Sequence, residues 1–359
     1  MNLRKGLAVF LFLTLGASAL ILSRSVDGQT LYAFTHIRKV YLFYILMTVF
    51  LAWFFDALRF CMTARAMGYT IPMRRGIMLT WLHYFGCALT PMQVGGGPFQ
   101  VYVLYKYGVP VGSGVAITLV RTLFSTFLLS IAAPAAFLLV PQLCEGGLLV
   151  KGVFIYVGIL SVVMWSLFLL SVFKAEWLKN MAARSLTFLK KKMFRRLPVH
   201  RFYRVFCLEV DSYSDNVRHM VGTGRRYFII AFLLSICHLM ALLSVLPLLM
   251  HAVHLPVHYF HTLLAQAMFM FILYFIPTPG ASGVAEGGGA GIYSLLMPAN
   301  MAGVMAVVNR FFTEYLAIFM GCMVAIRLIG WGAAEKILSG EQSGEQEDEL
   351  CEEELSHGK

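Results

Sequence analysis

Charge is scarce in this chain: of 359 residues, 13% are Asp, Glu, Lys or Arg and 59% are hydrophobic. That balance excludes an ordinary soluble domain, in which about a quarter of the residues are charged. Acids are rarest through the body of the chain. Residues 1–334 hold nine, against 27 Lys and Arg, whereas 335–359 hold nine acids and two bases. The basic excess behind the net charge of +11 therefore belongs to the apolar part, where bases report orientation across a bilayer rather than nucleic acid binding. The seven cysteines form no C-x-x-C pair and no metal-ligand spacing, which leaves free thiols and no resident metal or other cofactor as the expectation. Cys144 alone falls in a loop assigned to the outer side. No phosphate-binding P-loop occurs either, which excludes a chain that hydrolyses nucleotides through that motif.

Long apolar runs are what the chain does have. A spanning helix needs about 20 predominantly apolar residues, and runs of that kind lie near 7–22, 40–58, 112–140, 152–173, 227–250 and 301–328. The expected fold is an all-α integral membrane protein with about six full spans. The first run follows a basic end and contains Ala17-Ser18-Ala19, which suits a signal peptidase. Because its apolar character continues through Leu22, an uncleaved first helix is preferred.

Basic residues place the loops. Residues 174–226 carry 13 Lys or Arg against four acids, and Arg59, Arg65, Arg74 and Arg75 cluster in 59–75. Both segments go to the cytoplasmic side, with Arg4 and Lys5, so both termini are expected there. Arg24, Arg38 and Lys39 then face outward, against the rule. The basic segment 174–226 separates two halves of a membrane domain, 1–334. Its Leu178, Leu186, Leu189, Met193 and Leu197 suit a helix lying on anionic lipid, and a solvated charged linker fits as well. The tail, 335–359, has little to bury and is expected to be disordered.

Two further apolar stretches, 77–105 and 259–297, break their own backbone. "CALTPMQVGGGPFQVYVL" ends an apolar run with Thr90-Pro91 and follows it with Gly95, Gly96, Gly97 and Pro98. "YFIPTPGASGVAEGGG" does the same with Pro277, Thr278, Pro279, Gly280 and Gly283. Irregular backbone at membrane depth survives only inside protein or along a polar cavity. The spacing matches too, since Arg121 lies 31 residues after Thr90 and Arg310 lies 32 after Thr278. Each arginine sits about 14 Å into the following helix at about 1.5 Å per residue, near the middle of a core about 30 Å thick. With the orientation above, the first hairpin enters from the cytoplasm and the second from outside. That is an inverted repeat of two re-entrant broken hairpins, unless two such breaks coincide by chance. It would leave Gln100 reachable from the cytoplasm and Ser294 from the outside.

Buried arginines mark a substrate or ion path by default, and helix N-termini at the breaks can hold an anion. The alternative is that Glu286 and Glu314 simply neutralise Arg121 and Arg310, with Arg310 and Glu314 at i,i+4. Gln93, Gln100, Ser282 and Asn309 offer neutral hydrogen bonds nearby, or pack helices. Of His238, His251, His254, His258 and His261, only His254 and His258 have i,i+4 spacing, and Pro256 intervenes. Interfacial histidines are the simpler reading.

At the two broken stretches the chain resembles the flippase-like membrane domain of lysylphosphatidylglycerol synthases and related stand-alone proteins, over roughly residues 5–330. The residues that carry the resemblance are Thr90, Pro91, Gly95, Gly96, Pro98 and Gln100, then Pro277, Pro279, Gly280, Gly283 and Glu286. It implies movement of lipids between leaflets. Position 281 is Ala where the pattern expects Gly. After the last span there is only the acidic tail instead of a soluble aminoacyl-transfer domain, so aminoacylation is not expected. Together these features lead to a non-enzymatic lipid translocase of a bacterial inner membrane. It would bind an anionic phospholipid or lipid-linked headgroup through Arg121 and Arg310, with no nucleic acid partner. The rivals are an intramembrane lipid-phosphate enzyme using Glu286 with His83, and a non-catalytic membrane subunit partnered with envelope-biosynthesis proteins.

Overall fold

The structure is a computed structural model that describes residues 3–141 and 222–328, with scattered positions between. Within these residues the chain is helical and contains no strand. Among the described residues, five stretches are long and apolar enough to cross a membrane: Gly6–Ser25, Lys39–Ala66, Val111–Leu139, Arg225–Ala252 and Ala299–Leu328. They match five of the six expected spans. Half of the remaining one, 152–173, lies outside the described residues, as do nearly all of the basic segment and the whole acidic tail.

The elements run α1 (Leu3–Ser25), α2 (Gly28–Thr35), α3 (Lys39–Ala66), α4 (Met73–Leu89), a 3-10 turn at Pro91–Gln93, α5 (Gly96–Lys106) and α6 (Val111–Leu139). After the basic segment come α7 (Arg225–Leu243), α8 (Val245–Ala252), α9 (Tyr259–Leu273), a 3-10 turn at Pro279–Ala281 and α10 (Val284–Tyr293). The last span holds α11 (Ala299–Arg310), a π turn at Phe311–Tyr315 and α12 (Leu316–Leu328). The short helix α2 fills the first loop. Asp27 starts it, its carboxylate accepting the N–H of Thr30 at 2.7 Å, as an N-cap does. The fourth span is interrupted at Ser244, between α7 and α8, where Pro247 offers no N–H for the Leu243 carbonyl.

Phe12, Leu15, Phe43, Phe50, Leu138 and Phe319 point outward, while Asp56, Arg59, Gln100, Arg121, Glu286 and Arg310 are buried. A polar interior inside an apolar exterior is the arrangement that lipid, and not water, selects.

The halves correspond element by element, α3–α6 with α7–α12. The first leg of each hairpin packs against the arginine-bearing span of the other half, α4 on α12 and α9 on α6. The second leg packs against its own following helix, α5 on α6 and α10 on α11. The helices that precede the hairpins, α3 and α7, pack on each other. They run antiparallel. Arg38, just before α3, donates its N–H to the Ala252 carbonyl at the end of α8 (3.0 Å). At the other end, Gly224 sits so close to the Ala66 carbonyl that a Cβ there would overlap it. Corresponding helices of opposite direction make this an inverted repeat.

Candidate functional site

The two breaks share one backbone device. After Thr90-Pro91 the chain takes φ of 55° at Met92 and 56° at Gln93; after Thr278-Pro279 it takes 58° at Gly280 and 55° at Ala281. Left-handed backbone is uncommon outside glycine, so its repetition at equivalent positions is a built feature. The expected glycine at 281 is replaced by an alanine that bears this strain. The side chains of both threonines help close the breaks. Thr90 Oγ1 donates to the Gly86 carbonyl and accepts the N–H of Gly95, and Thr278 Oγ1 donates to the Ser282 carbonyl.

The tips touch each other. Met92 N–H donates to the Ile276 carbonyl at 3.1 Å and Gly280 N–H to the Thr90 carbonyl at 3.4 Å. The glycines behind the first tip differ in role. A Cβ on Gly96 would collide with His83 and Cys87, and one on Gly95 with Thr90 and Gly86, whereas Gly97 faces open space.

Around the tips lie two ionic clusters. In the first, Arg121 grips Asp56 with two N–H groups, Nε to Oδ1 at 3.1 Å and Nη2 to Oδ2 at 2.5 Å. Arg59 Nε donates to the same Oδ1 and its Nη1 to Ser125 Oγ. Gln100 Oε1 receives Arg121 Nη1 at 3.5 Å while Gln100 Nε2 donates to the Leu79 carbonyl. In the second, Arg310 Nη1 donates to Glu286 Oε1 at 2.7 Å, Nε to Glu314 Oε2 at 3.1 Å, and Nη2 to the Gly280 carbonyl. Glu286 also accepts the N–H of Gly283 and the hydroxyl of Tyr315, each at 2.7 Å.

A cavity of about 110 Å³ lies between the clusters. Arg59, Arg121, Arg310 and Glu314 face it, with Gln93, Asn309, His83, His238, Gln266 and several tyrosines. Of the expected site residues, Gln93, Arg121, Asn309, Arg310 and Glu314 line the cavity; Gln100, Glu286 and Ser282 are buried outside its lining. Ser282 instead pairs with Thr14 of α1 at 2.7 Å.

Several expectations need correction. Gln100 is fully buried and holds Arg121 in place, so a reagent cannot reach it, while Ser294 is exposed. Arg59 is not part of a cytoplasmic surface cluster but is buried with Asp56. Among the described residues, Glu286 and Glu314 answer Arg310 and not Arg121; Arg121 is answered by Asp56, which sequence reasoning missed. The N-terminus of α10 meets a carboxylate of its own, Glu286, which takes the Gly283 N–H. His238 is no interfacial residue: it is buried, with Nδ1 at 2.9 Å from the Ala52 carbonyl. Asp56 and Arg59 had a legible signal, two charged residues three apart within a long apolar run, which membrane segments rarely tolerate without function.

The family model described as the lysylphosphatidylglycerol synthase TM region matches residues 6–321. The chain belongs to this family. Both hairpins, both arginine clusters and the cavity fall inside the matched part of this lysylphosphatidylglycerol synthase TM region. A similar protein, described as a UPF0104 membrane protein from Archaeoglobus fulgidus, is 23% identical over 271 residues, covering 76% of this chain and 81% of that relative. Membership ties the chain to a family of membrane proteins concerned with lipid.

Proposed function

We propose that this chain is a lipid translocase that carries a phospholipid headgroup between leaflets while the acyl chains stay in the bilayer. The observation that supports it most is the cavity faced by three guanidiniums where two broken hairpins from oppositely directed repeats meet. Buried ion pairs are weak contributors to stability, since an apolar replacement of similar volume is often as good. Keeping six charges there therefore points to a guest. Guanidinium is the side chain suited to phosphate, because its planar fork offers two parallel donors.

In this reading the hairpins are re-entrant, and rocking one repeat against the other exposes the cavity to each leaflet in turn. The Cys87 thiol donates to the Gln93 carbonyl at 2.9 Å beside His83 Nε2 at 3.5 Å. That commits its proton to a carbonyl and gives no reason to assign covalent chemistry, so we read the chain as a carrier and not an enzyme. The cell membrane, with both termini on the cytoplasmic side, is its proposed place.

The test is reconstitution of the purified full chain into vesicles containing headgroup-labelled phospholipid, with a membrane-impermeant quencher outside. Translocation makes the inner-leaflet label quenchable. Protection of the inner half of the label, equal to that in protein-free vesicles, would refute the proposal.

A further inference from the structure

The two walls of the cavity differ in charge, and we infer that the site takes a compact zwitterionic headgroup, a phosphodiester joined by a short link to a protonated amine, as in phosphoethanolamine. This rests on the translocase reading and narrows it.

The first repeat brings two guanidiniums, Arg59 and Arg121, to one carboxylate, Asp56. It is one positive charge in excess and rich in donors. The second repeat brings one guanidinium, Arg310, to two carboxylates, Glu286 and Glu314. With both ionised, it is one negative charge in excess. Two neutral side chains carry the same asymmetry. Gln266 Oε1 and Asn309 Oδ1 are buried acceptors with no hydrogen-bond partner among the described residues. Both residues are more than nine-tenths buried and line the cavity. Asn309 already uses its Nδ2 on the Tyr293 hydroxyl, 3.3 Å away.

Buried polar atoms are almost always satisfied, so orphaned acceptors beside an unevenly matched carboxylate call for a donor. An anion alone would satisfy the first wall and leave the second worse than before. A phosphodiester against Arg59 and Arg121, with an ammonium against Glu314, Gln266 and Asn309, neutralises both walls at once. The ammonium brings three donors and no acceptor. Size limits the class further. About 110 Å³ is far below the roughly 300–1,000 Å³ of pockets that enclose drug-sized ligands. That favours a short link over a headgroup extended by a sugar or an amino acid.

The experiment is native mass spectrometry of the purified full chain taken from bilayers holding equal phosphatidylethanolamine and phosphatidylglycerol. The wild type should retain phosphatidylethanolamine about tenfold over phosphatidylglycerol, the ratio expected for one charge-assisted hydrogen bond. Glu314→Gln should bring the ratio near one while phospholipid is still retained. Gln266→Leu should lower it in the same direction, and serves if Glu314→Gln does not fold. Even or reversed retention by the wild type, or an unchanged ratio in the folded variants, overturns the inference. Soluble O-phosphoethanolamine at the concentration of the lipid should not displace it; full displacement would mean that the guest is a water-soluble compound, and overturns the lipid source. Headgroup movement in vesicles is read separately. Movement without preference refutes only the zwitterion, and preference without movement refutes only the translocase.

Discussion

In the first repeat the arginine after the hairpin is answered from elsewhere, by Asp56 on α3; in the second it is answered by Glu286 on α10 of its hairpin and by Glu314 four residues further along its own span. The backbone of the two breaks is nearly the same, with successive left-handed residues after Thr-Pro. The charges attached to it are not. A repeat can thus keep its fold and diverge in chemistry, because the left-handed turn is set by local backbone and glycine contacts while the partner of each arginine is set by whichever span lies opposite.

The largest effect should come from breaking the first cluster. Asp56→Ala leaves Arg59 and Arg121 buried without their shared carboxylate, and loss of one partner of a buried pair costs about 3–5 kcal/mol. Glu286→Gln leaves Arg310 with Glu314 and should cost less, about 1–3 kcal/mol. Thermal unfolding of the two purified variants in one detergent compares them, and equal losses would erase the distinction between the repeats.

Next in size is the backbone comparison within the first tip. Gly96→Ala forces a Cβ into His83 and Cys87 and should cost about 1–3 kcal/mol by overpacking. Gly97→Ala meets open space and should stay within about 0.5 kcal/mol of wild type. The same unfolding assay separates neighbours that look alike in the sequence.

The smallest effect is expected at the second tip. Ala281→Gly relieves a left-handed alanine, a strain of about 1–2 kcal/mol, against an unfolded-state loss of about 0.4–1 kcal/mol. A small rise in the unfolding temperature is expected, and a clear fall would mean that the alanine methyl packs better than its backbone suffers.

Much of this was legible in the residues. Five spans could be read from the length of apolar runs, and both breaks from Thr-Pro followed by glycine. The inverted relation could be read from basic loops, and it is carried independently by the Arg38–Ala252 hydrogen bond. Arg121, Arg310, Glu314, Gln93 and Asn309 could be nominated for the cavity from spacing and depth. Arg59 was misread because it stands in sequence beside true flanking bases, and a count of Lys and Arg does not register that α3 extends to Ala66. Asp56 was legible as a charge three residues from Arg59, but its pairing with Arg121 reaches 65 residues away into another span. No local pattern encodes such a pairing. The π turn at Phe311–Tyr315, which widens the helix just after Arg310, leaves no signature in composition; such turns often mark functional sites.

The central claim is that the two clusters, built around Arg121 in one repeat and Arg310 in the other, act on a single headgroup in one cavity. Headgroup translocation in vesicles should be measured for Arg121→Lys, Arg310→Lys and the double variant, each at equal membrane content. Lysine keeps the charge and loses the planar fork, so each single change should slow movement about tenfold or more. Groups that act as one unit do not add, so the double variant should be no slower than the worse single. Losses that multiply, or full activity in either single variant, would contradict the claim.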